Sequence, residues 1–237
     1  MSSVPPQGPG FVPPPPPPPQ PPSMPLPAGP GLAWETQAIG PEPFFETAKM
    51  FITAPDQAWK LTRETGDYTR PLLFGVIVGW VGLVFNAIWS TMFGAGLMRM
   101  LPAQYAGFNR FGGGSLVAQV ILGPLLVAIG LFIGAAIFHV AFMVVGALTG
   151  SKSQFEGTFR IVSYSSIAHL AYIIPIVGGL AALVWRVYLM MLGAQQLHKT
   201  TQNKALLGIL LPILICCVCA GLGIAFAGAA MMRAFSR

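Results

Sequence analysis

The stretch Ala205 to Met232, ALLGILLPILICCVCAGLGIAFAGAAMM, runs for 28 residues without one Asp, Glu, Lys or Arg. Crossing the hydrocarbon core of a bilayer takes about 20 apolar residues in a helix, and every backbone amide inside it needs a partner within the segment. A run of this length and composition reads as a membrane helix. Three further runs, Leu72 to Phe93, Leu116 to Thr149 and Ile161 to Leu197, share the pattern, and Arg186 is the only charged residue in all four. The composition agrees, with 54% hydrophobic and 8% charged residues and a mean hydropathy of +0.67. The expected fold is all-α, a polytopic membrane helix bundle.

Residues 1–43 are a different material. They hold 17 of the 23 prolines, including the run Pro13 to Pro19, and no Lys or Arg. Proline removes amide donors and favours extended polyproline II, so this segment is expected to be a disordered cytosolic tail. It lacks the charged start and apolar centre of a secretory signal. Its Pro-x-x-P spacings suit aromatic grooves in partner proteins, and they also arise by chance in any proline tract. Residues 44–70 read as a juxtamembrane region of short amphipathic helices broken at Pro55. Phe44, Ala48, Phe51 and Ile52 share one face, and two placements are open: lying on the headgroups, or packing on the cytosolic ends of the spans.

Residues 71–237 then form the membrane domain. The first span, about 72–93, starts just after Pro71. The second, about 115–149, is too long for one upright crossing and short for two, so one tilted helix projecting past the bilayer is expected. The run from Ile161 to Leu197 carries a turn signal in Pro175, Gly178 and Gly179, which divides it into spans at about 161–177 and 179–198. The last span, about 205–232, makes five. Cytosolic loops are enriched in Lys and Arg. With the amino terminus inside, the inner side holds Lys49, Lys60, Arg63, Arg70, Lys152, Arg160, Lys199 and Lys204, against Arg99, Arg110, Arg233 and Arg237 outside. Five spans then put the carboxyl terminus outside the cytosol.

Certain residues resemble a known family. Phe44-Phe45-Glu46-Thr47, Ala54-Pro55 and Pro71-Leu72-Leu73-Phe74-Gly75 are similar to the start of the Yip domain of the Rab/Ypt-interacting five-span membrane proteins. Phe155-Glu156-Gly157-Thr158-Phe159, Tyr164-Ser165-Ser166, Pro175, Gly178, Trp185, Gly193, His198 and Lys204-Ala205 are similar to it in order and spacing. The resemblance covers about Phe44 to Met232. Eukaryotic members carry Asp-Leu-Tyr-Gly-Pro before the first span, and here Asp67-Tyr68-Thr69-Arg70-Pro71 keeps only the Asp and the Pro. A bacterial-type member is implied, in the inner (cytoplasmic) membrane; a eukaryotic member would lie in a secretory-pathway membrane. The family implies a membrane role without a settled activity.

Chemistry is sought among polar residues inside the spans, because an ionisable group there costs about 2.5 to 3.5 kcal/mol or more and faces a partner or water. Folding the hairpin about Val177 brings Arg186 and His169 to similar depth. Ser165, His169 and Tyr172 recur at i, i+4 and i+7 as one stripe. Asn86 and His139, counted in from the ends of their spans, reach comparable depth. A candidate intramembrane polar layer of Asn86, His139, Ser165, His169, Tyr172 and Arg186 results, either as interhelical hydrogen bonding or as a transport or lipid-headgroup site.

Other constellations are weak. Cys216, Cys217 and Cys219 lie near mid-span without a His or acid to complete a zinc site, and read as buried apolar cysteines. Gly75-x-x-x-Gly79 and Gly130-x-x-x-Gly134 permit close helix approach. Zinc-protease, nucleophile-elbow and phosphate-loop motifs are absent, so no catalytic, cofactor-binding or metal-ligating residues are expected, and the protein reads as no enzyme. The basic pI of about 9.6 comes without a dense basic patch, which argues against nucleic acid. Membrane lipids are expected partners, with protein partners at the proline-rich tail, and a homo-oligomer is left open. Two function classes remain. The favoured one is a non-catalytic, trafficking-like membrane organiser that recruits partners; the alternative is a small transporter, channel or lipid-handling protein built on the polar layer.

Overall fold

A computed structural model describes residues 31–100 and 116–235, and all regular structure among them is helical. Three short helices come first: α1 (Ala33–Thr36), α2 (Pro41–Thr53) and α3 (Pro55–Leu61). Pro41 and Pro55 each occupy the first turn of a helix, where the missing N–H costs nothing. The long elements are α4 (Thr69–Met100), α5 (Leu116–Val144), α6 (Gln154–Tyr164), a 3-10 segment (Ser165–Ile173), α7 (Gly178–Leu197) and α8 (Gln202–Phe235). Pro124 and Pro212 sit inside α5 and α8 without ending them.

Among the described residues, four helices are long and apolar enough to cross a membrane: Thr69–Phe93, Gln119–Val144, Gly178–Leu197 and Gln202–Gly223. Their outward faces are apolar too, with Ile121, Leu125, Ile133, Ile137 and Val140 of α5 and Leu214 and Val218 of α8 all exposed. A helix that is hydrophobic all round belongs in lipid or in a core. Consecutive contacts run α4 to α5, α5 to α8 and α8 to α7, while the arm made of α6 and the 3-10 segment packs against α4, α5 and α7 at the centre.

Several expectations need correction. Five spans were expected at about 72–93, 115–149, 161–177, 179–198 and 205–232, and among the described residues four helices meet the requirement, because the third is a compound of α-helix and 3-10 helix. The second stops at Val144, with a turn at Gly146 (φ 66), rather than continuing to 149. The tail does not extend to residue 43 either. Leu32 and Trp34 are buried, Trp34 Nε1 donates to the Arg70 carbonyl at 2.7 Å, and its backbone N–H donates to Thr47 Oγ1 at 3.0 Å. Residues 1–30, with the proline run and its Pro-x-x-P spacings, and Arg110 lie outside the described residues.

The juxtamembrane helices pack on the bundle. Trp34, Phe51, Trp59, Phe74 and Tyr164 form one aromatic cluster, with Phe51 stacked on Tyr164 at 5.3 Å between ring centroids. Each such ring contributes large apolar area plus about 0.5 to 1.5 kcal/mol per well-placed pair. The buried face of α2 is Pro43, Thr47, Ala48 and Phe51; Ile52, expected on that face, is exposed.

Candidate functional site

The hairpin between the 3-10 segment and α7 turns where Pro175 and Gly178 placed it. Gly178 N–H donates to the Ile174 carbonyl at 3.1 Å, and a Cβ on Gly178 would lie 2.3 Å from the Ala171 carbonyl oxygen, so only glycine fits. Antiparallel packing from that turn brings Arg186 to His169. Its guanidinium donates to His169 Nε2 at 3.0 Å; an arginine can only donate, so the ring is neutral with its proton on Nδ1. Tyr172 stacks on His169 with centroids 5.6 Å apart.

These groups line a cavity of about 330 Å³ between α4, α5, the 3-10 segment and α7, together with Asn86, Ser166, Gly79, Leu83, Val127, Gly130 and Leu131. Asn86 is exposed at its side. No carboxylate lies among the lining residues, and no ion pair among the described residues involves Arg186. Its Nε is buried and unpartnered.

Four of the six residues expected in the polar layer therefore converge, and two do not. Ser166 lines the cavity in place of Ser165, whose hydroxyl is buried elsewhere without a partner. The cause is helix type. A 3-10 helix repeats every three residues, so 166, 169 and 172 share its face, whereas the expected stripe used α-helical spacing. His139 lies near the end of α5, nine residues or about 13 Å along the axis from Gly130, because the helix stops at Val144.

His139 instead joins a second buried cluster. Its Nδ1 is 3.0 Å from Thr158 Oγ1, which is 3.0 Å from His198 Nε2, and His198 Nδ1 is 2.8 Å from Ser151 Oγ. Ser153 Oγ donates to the Leu197 carbonyl at 3.1 Å. Burial, and secondarily the nearness of His139, lowers the His198 pKa to about 4, so the ring is neutral. With its one proton, the Thr158 hydroxyl can donate to one imidazole while accepting from the other. The serine–histidine contact lacks an orienting carboxylate, and Ser151, Ser153, Thr158 and His198 are all buried, which closes it to substrate.

A third cluster locks the cap, the three short helices and flanking residues 32–68, to the bundle. Arg160, 2% exposed, donates to Glu35 Oε1 at 2.5 Å, to Glu156 Oε1 at 2.9 and 3.1 Å and to the Asp67 carbonyl at 2.9 Å. Tyr164 OH and the Arg63 amide also donate to Glu35. Burial pushes the Glu35 carboxyl above its ordinary value, while the Arg63 amide, the Arg160 charge and the Tyr164 hydroxyl pull it down. Lys60 pairs with Asp56 on the exposed face of α3. Cys216, Cys217 and Cys219, expected to be buried, are exposed on α8, an apolar outer face.

Sequence reasoning missed Glu35, Arg160, Thr158 and Ser151 as structural partners. The family-like positions carried part of the signal, since Glu156, Thr158, Tyr164 and His198 are among them; Glu35 gave none, lying in a proline-rich stretch 125 residues from Arg160.

A family model described as the Yip1 domain matches residues 49–223. No curated protein and no solved structure matches the chain. The match runs from α2 to α8 and takes in all four membrane-length helices, the central arm and its hairpin. Matched over well beyond half of its length, and folded as an all-helical bundle with membrane-length apolar helices, this chain belongs to the Yip1 domain family.

Proposed function

We propose that this Yip-family membrane protein is a non-catalytic organiser that recruits partners through the segment ahead of its cap. The observation that carries this reading is the lock between cap and bundle: Glu35, Arg160 and Tyr164 hold residues 32–68 rigidly on the helices, so the proline-rich segment leaves from a fixed point. A partner-binding segment tethered there would meet its partners at high effective concentration. The same reading gives five crossings, an inside amino terminus and an outside carboxyl terminus. The arm from Gln154 to Ile173 runs antiparallel to α7 along its whole length: Ser153 bonds the Leu197 carbonyl at one end, and Ala171 meets Gly178 at the other. If α7 crosses the bilayer, the arm beside it crosses too, shielded from lipid on three sides. At about 1.5 Å per α residue and 2.0 Å per 3-10 residue it is also long enough.

Crosslinking in native membranes followed by pulldown tests the recruiting role. Deleting Ser2 to Pro30 is expected to remove captured partners while thermal stability is kept; an unchanged capture profile overturns the role. Deleting Ser2 to Gly40 also removes Leu32, Trp34 and Glu35 and is expected to unseat the cap. A second reading, lipid or small-solute handling, is favoured by one observation, the cavity at Arg186.

A further inference from the structure

Arg186 is the ninth of the 20 residues of α7, so it sits at mid-membrane when α7 crosses. A lone cation at that depth is costly unless a partner neutralises it. None of the chain's seven acidic residues pairs with it: Glu35 and Glu156 serve Arg160, Asp56 serves Lys60 and Glu64 serves Lys199, while Glu42, Glu46 and Asp67 lie outside the cavity lining. His169 takes one guanidinium nitrogen and Nε is left without an acceptor. The cavity in front of it offers further donors in the Asn86 amide and the Tyr172 hydroxyl. Gly130 lines it at an exposed position, where a Cβ would meet nothing within 4 Å and a larger side chain has room. The planar fork of an arginine matches the oxygens of a phosphate group, and such charge-assisted bonds are among the strong ones.

We infer that this cavity is an anion site for a phosphate group carrying one negative charge, held by Arg186 with Asn86 and Tyr172. One guanidinium balances one charge, which fits either the phosphodiester of a phospholipid headgroup or a free phosphate monoanion. This inference rests on the second reading above and gives it a ligand class. Two variants separate charge from space: Arg186→Gln removes the cation, and Gly130→Leu fills the void while leaving Arg186 in place.

The test uses the full chain in nanodiscs of digalactosyldiacylglycerol, whose headgroup carries no phosphate, with the thermal midpoint followed by tryptophan fluorescence; Trp89 reports directly, as its Nε1 donates to the Tyr172 carbonyl. Sodium phosphate is titrated against sodium chloride at equal ionic strength, and phosphatidylglycerol is titrated into the disc. The expected result is a saturable rise in midpoint with one of the two phosphate sources, weakened roughly tenfold or more in both variants. A response to phosphatidylglycerol alone assigns the headgroup, and a response to phosphate alone assigns the free anion. If Arg186→Gln does not fold, the comparison rests on Gly130→Leu. No response beyond chloride to either source, or equal responses in the wild type and Gly130→Leu, overturns the site. Binding in discs with no phosphate flux or lipid redistribution in proteoliposomes keeps the site and removes the handling reading alone.

Discussion

Arg160 and Glu35 show how a single contact can couple distant parts of this chain. Both side chains are 2% exposed, and burial already disfavours the Glu35 carboxylate, which the Arg63 amide, the Arg160 charge and the Tyr164 hydroxyl together oppose. Removing one partner of a buried pair costs about 3 to 5 kcal/mol, because the other charge is left stranded. Arg160→Met is expected to lower stability by that order in a detergent melt. The double variant Glu35→Leu, Arg160→Met should recover part of the loss, with the Tyr164 hydroxyl and Glu156 still short of a partner. His198 predicts a pH dependence. Its native pKa of about 4 lies below the ordinary 6.5, so the unfolded chain binds more protons between those values. Stability is therefore flat above pH 6.5 and falls as pH drops toward 4, by about 3 kcal/mol in all. Melts between pH 7 and 5 should show the fall in the wild type and a flatter profile in His198→Gln. At this scale the facing of Arg186 and His169 was legible, because a turn signal and equal residue counts fix depth. Glu35 was not, because its partner is set by tertiary folding alone.

The arm explains what was hidden at the level of elements. Its sequence carries no breaker between Ile161 and Ile174, and apolar periodicity does not separate a buried α-helix from a buried 3-10 helix. Gly82 of α4 lies so close to the arm that a Cβ there would meet His169 Cβ at 2.7 Å and the His169 carbonyl oxygen at 2.9 Å. Gly82→Leu is expected to destabilise by about 1 to 3 kcal/mol or more, through forced backbone movement. Gly130→Ala, with nothing within 4 Å, should change the melt little. Equal midpoints for the two variants would contradict the close approach. Of the two Gly-x-x-x-Gly pairs, Gly75 and Gly79 do meet Leu131 and Val127 of α5, while Gly130 faces the cavity. Spacing alone cannot tell a packing face from a void. Ile176, at φ 67 in the hairpin turn, is a strained conformation for a β-branched residue that no propensity would place there.

At the scale of the molecule, membrane location was legible from the charge-free runs, since they depend only on composition and length. The ordered cap was partly hidden: a proline-rich composition reads as tail, yet Leu32 is already buried, and Trp34 anchors Arg70 and Thr47. Five crossings around a central compound arm is the claim on which the orientation, the depth of Arg186 and the meaning of its cavity all depend. Its parity is directly measurable. A single cysteine introduced as Ser236→Cys, in a background where Cys216, Cys217 and Cys219 are replaced by Ala, is labelled with a membrane-impermeant maleimide on intact cells and on inverted vesicles, alongside a cysteine at Ser2. Five crossings predict Ser236→Cys labelled from outside and Ser2→Cys only from the cytosolic side. Labelling of both from the cytosolic side would show an even number of crossings and contradict the account.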